Sequence, residues 1–186
     1  MSRISRWILG ALGWSIEHRY PDVEKCVVIA APHTSNWDFV LGIVAAKAID
    51  LRPNWVGKHT IFRWPFAWFF RAIGGIPVHR GEGRNYIAQL AELFAQTDRL
   101  VLGMAPEGTR SKTDHWKTGF YYIARDAGVP VLMAYFDYPR KKVGITGKLH
   151  TSDDIEADFK KIREFYADHH GKNPEQASLI RVRKKP

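Results

Sequence analysis

The stretch Lys25-Cys26-Val27-Val28-Ile29-Ala30-Ala31-Pro32-His33-Thr34-Ser35-Asn36-Trp37-Asp38 decides how the chain is read. Its first half is a continuous apolar run bounded by Pro21 and Pro32, the pattern of a buried strand. Beyond it, Val40, Leu41, Val44, Ala45 and Ala48 recur at helical spacing and predict a helix over 37–49. A buried strand feeding directly into a helix is the building unit of an α/β domain.

Working outward, the alternation continues. Short strands are predicted at 55–57 and 76–78, with an aromatic, helical piece at 66–73 closed by Gly74-Gly75. Ile87, Leu90, Ala91 and Phe94 mark an amphipathic helix over 85–96. A strand follows at 100–104, then a helix over 120–127 that stops at Gly128 with Pro130 beyond. Strands are predicted at 131–138 and 143–147. A last helix spans 153–169, its inner face Ile155, Phe159, Ile162 and Tyr166, capped by Thr151 or Ser152. The expected architecture is one α/β domain over 21–171 with a mixed, largely parallel sheet flanked by helices. Residues 1–20 precede it as an amphipathic segment, helical from Ile4 to Ile16, and 172–186 follow as a basic tail.

The chain has 186 residues, 45% of them hydrophobic, enough to bury one core. Lys and Arg number 28 against 19 Asp and Glu, a net charge of +9 that predicts attraction to anionic partners. Nucleic acid is not expected, because no helix-turn-helix, zinc pattern or RNP-like aromatic strand is present. Cys26 is the one cysteine, so no internal disulfide can form, and a reducing cytoplasm is the expected home. It reads as a buried strand thiol. No apolar run reaches the ~20 residues of a membrane-spanning helix. Two segments read either as membrane-interface elements or as core: the N-terminal segment with Trp7 and Trp14, and Arg63-Trp64-Pro65-Phe66-Ala67-Trp68-Phe69-Phe70-Arg71.

His33 falls just past a predicted strand end, the usual place for a ligand in an open α/β sheet. Asp38 falls in the first turn of the next helix. A bend at the start of that helix lets the carboxylate reach the imidazole and hold one tautomer, the arrangement of a general base with an orienting carboxylate. The same spacing also suits a plain capping role for Asp38. A second loop, Ala105-Pro106-Glu107-Gly108-Thr109-Arg110-Ser111, again follows a strand end. Arg110 offers a planar fork for phosphate oxygens and Thr109 a hydroxyl. No second ligand stands at metal-binding distance from His33, so no metal is expected.

Together these two segments, in this order and spacing, resemble the first and third sequence blocks of the glycerolipid acyltransferase superfamily, the lysophosphatidate acyltransferase-like enzymes. Gly75-Ile76-Pro77-Val78-His79-Arg80 resembles the second block, and Gly128-Val129-Pro130-Val131-Leu132-Met133 the fourth. The resemblance covers 28–135. Pro32, His79 and Ala105 depart from residues that relatives often carry, at positions without a direct chemical role.

The resemblance implies a glycerolipid acyltransferase-like fold, with His33 as base and Asp38 as its partner. Glu107, Gly108, Thr109 and Arg110 would shape the acceptor site, and Arg80 and Lys58 would help hold its phosphate. It further implies an acyl-CoA or acyl carrier protein donor, a lysophospholipid acceptor, no cofactor, and a peripheral position on the inner face of a membrane. Attack of the acceptor hydroxyl on the thioester needs no covalent enzyme intermediate. Its oxyanion donors are expected among backbone N–H groups at the start of the helix after His33. A non-catalytic basic binding domain and a thioester hydrolase are the competing readings of the same residues.

Overall fold

The computed structural model describes residues 3–78 and 83–183, apart from the side chains at 58, 78 and 83–85. Helix α1 (Arg3–Ala11) leads through Gly13 into strand β1 (Ser15–His18). Then follow β2 (Lys25–Ala31), α2 (Trp37–Ala48), β3 (Asn54–Lys58), α3 (Ala67–Ala72), β4 (Gly75–Val78) and α4 (Gly83–Gln96). The chain continues through β5 (Leu100–Met104), α5 (Gly119–Ala127), β6 (Val131–Asp137), β7 (Lys142–Leu149) and α6 (Ile155–Tyr166).

The seven strands form one sheet in the order β1-β7-β6-β2-β5-β3-β4. The pairs β2–β5, β2–β6, β3–β4, β3–β5 and β1–β7 are parallel, and β6–β7 is antiparallel. The sheet is therefore mixed and mostly parallel, as expected. Side chains alternate across it. Val27, Ile29, Leu102, Val131 and Met133 pack beneath α4, α5 and α6 with Phe94, Phe120, Ile123, Phe159 and Ile162. On the opposite face, Phe136 and Val143 meet Leu9 of α1 and Ala45 and Ala48 of α2. Cys26, Val28, Val101, Leu132 and Ile145 complete that face. Cys26 is a buried strand thiol, and burial pushes it up to about 12.

Three local expectations change. The N-terminal helix stops at Ala11 rather than Ile16, because Gly13 adopts a left-handed φ of 76° and Ser15–His18 pairs along β7. The cap of α6 is Asp154, not Thr151 or Ser152: its carboxylate accepts from the N–H groups of Glu156 and Ala157. Ser152 instead bonds Asp158, a buried carboxylate that also accepts from the Tyr121 hydroxyl and Lys161. After Gly171 the chain does not trail away over the described residues. Leu179 N–H donates to Thr113 O, Trp116 N–H donates to Arg181 O, and Ile180 and Val182 pack on the main core. These apolar residues, set among the basic ones, are what hold the segment down.

Candidate active site

Strands β2, β5 and β6 lie side by side and end at the same level, with Ile29 opposite Met104 and Ala31 opposite Tyr135. The loops leaving these ends, at 32–36, 105–111 and 138–141, therefore converge. His33 Nδ1 lies 3.2 Å from Asp38 Oδ2. The bend that allows this is built by Asp38 itself, whose Oδ2 accepts from the N–H groups of Thr34 and Ser35, each at 2.8 Å. Asp38 is 1% exposed. Burial works against its charge, but donors from His33, Tyr138 and Ser35 outweigh that and hold the carboxyl below its usual range. One carboxylate thus ties the loop and orients the imidazole: Oδ2 holds the turn and faces His33, and Oδ1 accepts from the Tyr138 hydroxyl at 2.7 Å.

Glu107 sits behind the same loop. It is 3% exposed, and its Oε1 accepts the His33 N–H at 2.9 Å. Burial pushes its carboxyl up, offset only in part by that bond. Glu107 thus stands behind the backbone of His33 rather than among the residues that line the cavity. Gly108 makes the following turn at φ 68°, a conformation that suits glycine. Thr109 and Arg110 are exposed beyond it. Lys58 is the last residue of β3, at the same end of the sheet. Arg80 lies outside the described residues, and so does His79.

His33, Asp38, Gly108, Thr109 and Arg110 line one cavity of about 1270 Å³. It runs between α2 and the sheet. Ala30, Gly42, Ala46, Gly103 and Ala134 line it, and such short residues leave the space open. Lys117 also lines it, beside Gly108, where an added Cβ would come 2.7 Å from the lysine side chain. Sequence reading passed over Lys117, although it stands between buried Trp116 and the start of α5 and brings a second cation to the Arg110 end of the cavity.

The loop is also braced from the C-terminal side. Asn173 N–H donates to Thr34 Oγ1 at 3.1 Å, and its side-chain amide donates to Thr34 O at 2.8 Å. Gly171 lies so close that a Cβ there would meet Thr34 Oγ1 at 2.5 Å. Of the backbone donors at the start of α2, Trp37 N–H goes to Ser35 Oγ and Asp38 N–H to Ser35 O; ahead of the helix, His33 N–H goes to Glu107 and those of Thr34 and Ser35 to Asp38.

Several large apolar side chains are turned outward. Trp7 of α1 is 73% exposed, and Trp37, Phe39 and Val40 of α2 are exposed. Trp64 is 91% and Trp68 71% exposed, so core packing does not describe these two, whereas Phe62 and Phe70 pack on Trp55. Phe39 meets Trp55 edge to face, which joins α2 to that aromatic lobe. Helix α1 buries Ser5 and Leu9 and turns Ile4 and Trp7 outward, with Leu12 exposed just past its end. Among the described residues, no helix is long and apolar enough to cross a membrane.

A model of the family described as Acyltransferase matches residues 15–136. No curated protein matches the chain. Among solved structures the chain is similar to the 1-acyl-sn-glycerophosphate (LPA) acyltransferase PlsC from Thermotoga maritima. The identity is 20% and the TM-score 0.57, over 87% of this chain and 73% of that one. At that identity the likeness is one of fold.

Proposed function

Because the chain belongs to the acyltransferase family, we propose that it moves a fatty acyl group from a thioester, acyl-CoA or acyl carrier protein, onto the hydroxyl of a lysophospholipid such as lysophosphatidate. The observation that carries this reading is the His33–Asp38 pair on the wall of a largely apolar cavity that Arg110 and Lys117 also line.

Asp38 engages Nδ1, which leaves Nε2 of His33 for substrate. In the reading proposed, Nε2 takes the hydroxyl proton as the acceptor oxygen forms its bond to the thioester carbonyl carbon. The C–S bond then breaks, and the proton on His33 passes to the departing thiolate. Asp38 favours the imidazolium that forms between these steps. The thioester supplies an activated carbonyl, so the scheme uses no metal or cofactor. Arg110 and Lys117 would hold the acceptor phosphate, with Arg80 and Lys58 as further candidates. Glu107 would act on the backbone of His33 rather than on substrate. The apolar space beneath α2 would take the acyl chain.

An acceptor of this kind lies in a membrane. The outward Trp7, Trp37, Trp64 and Trp68, with Arg63 and Arg71 nearby in the chain and a net charge of +9, suit peripheral docking on an anionic surface. The inner face of a cytoplasmic membrane is the position proposed.

The test is transfer of a labelled acyl group from each donor type to lysophosphatidate in liposomes, with a no-acceptor control. Labelled phosphatidate is the expected product. Release of free fatty acid at the same rate without acceptor would instead identify a hydrolase.

A further inference from the structure

The family match ends at residue 136, yet the oxygen of Asp38 that does not face His33 is held by a residue beyond it. Tyr138, just after β6, donates its hydroxyl to Asp38 Oδ1 at 2.7 Å. On the other side, Oδ2 receives the Thr34 and Ser35 N–H groups and faces His33 Nδ1. The carboxylate is thus gripped at both oxygens, and its plane is set by groups at opposite ends of it. Tyr138 is itself fixed. Its ring meets Trp14 edge to face at 5.0 Å, and its N–H donates to His170 O at 3.0 Å. Burial and the neighbouring Asp38 both push its phenol far up, so it stays protonated and remains a donor.

We propose that Tyr138 is a positioning residue for the transfer reaction, the third member of a Tyr138–Asp38–His33 chain, holding the Asp38 carboxylate in the plane that orients the His33 ring. The proposal rests on the reaction assigned under Proposed function. Tyr138 touches no substrate atom in this scheme and acts through Asp38 alone. Removing its hydroxyl leaves Oδ1 a buried acceptor without that donor, so the carboxylate is held at Oδ2 alone and its plane is less tightly set. The effect belongs to the chemical step, since neither the cation pair nor the apolar cavity depends on this bond.

The experiment compares wild type with Tyr138→Phe, which keeps the ring against Trp14, and with Tyr138→Phe in an Asp38→Asn background. Expected is a fall in kcat of roughly tenfold or more for Tyr138→Phe, the weight of a hydrogen bond to a charged group. The KM values of donor and acceptor should stay unchanged, and the Asp38→Asn background should show no further loss. A purely structural tyrosine would lower thermal stability and leave kcat per folded molecule alone, and that result overturns the proposal.

A second readout does not need turnover: NMR titration of the Asp38 side-chain carboxyl in wild type and in Tyr138→Phe. The groups facing Asp38 are His33, Tyr138 and, further off, Glu107. Losing the Tyr138 donor should move the Asp38 titration upward; an unmoved titration overturns the proposal. If wild type transfers nothing to lysolipids, the function proposed above fails, and the titration alone then decides whether Tyr138 controls Asp38.

Discussion

At the scale of single residues, the site is a set of short bonds around one loop, and each bond has its own consequence. Glu107 accepts the His33 N–H from a buried position. Glu107→Ala should cost about 1–3 kcal/mol by leaving that N–H unpaired, whereas Glu107→Gln keeps an acceptor there. Burial raises the Glu107 carboxyl, so its ionisation opposes folding once pH exceeds the unfolded value of about 4.3. The stability of Glu107→Gln relative to wild type should therefore rise as pH climbs above that unfolded value, measured by urea melts. A flat difference would mean that the carboxyl is not raised. Arg110→Ala should raise the acceptor KM and leave the donor KM alone; the reverse split would move Arg110 to the donor site. His33, Asp38 and Glu107 were legible because each follows a strand end within a short motif. Tyr138 and Asn173 were not, because they lie far along the chain and reach the loop only once β6 pairs with β2 and the C-terminal segment folds back.

At the scale of elements, α6 is tied down where its first turn meets Ser152 and Tyr121. Asp158 is fully buried and satisfied by the Ser152 N–H and hydroxyl, the Tyr121 hydroxyl and Lys161. Asp158→Ala should destabilise the fold by about 3 kcal/mol, since four donors lose a buried acceptor; a loss below about 1 kcal/mol would contradict this. Burial alone would raise Asp158, as it would Asp38, but their donors outweigh it and lower both. Each therefore contributes stability that is present above the unfolded value of about pH 3.9 and is lost as pH falls through the lower folded value. The strands and helices that carry long periodic apolar runs were readable from sequence, notably β2, β5, α4 and α6. Strand β1 was not. Its four residues, Ser15–His18, continue an amphipathic helix pattern, and only pairing with β7 makes them a strand.

At the scale of the whole molecule, one face of the sheet is sealed by three helices, and the other holds the cavity beneath α2 with aromatic side chains turned outward. The fold class followed from the alternation of strands and helices. The cavity did not, because it depends on where short side chains meet across the α2–sheet layer. Liposome flotation should show binding that strengthens with anionic lipid and weakens on Trp64→Ser with Trp68→Ser; equal recovery of both proteins would remove that lobe from the docking surface. If His33, oriented by Asp38, is the base for acyl transfer, the initial rate of transfer to lysophosphatidate by His33→Ala, at the same folded concentration as wild type, should fall by about a hundredfold or more, the weight of general-base catalysis, with the melting curve preserved. Transfer by His33→Ala within about twofold of wild type, far inside that range, would contradict that role for His33.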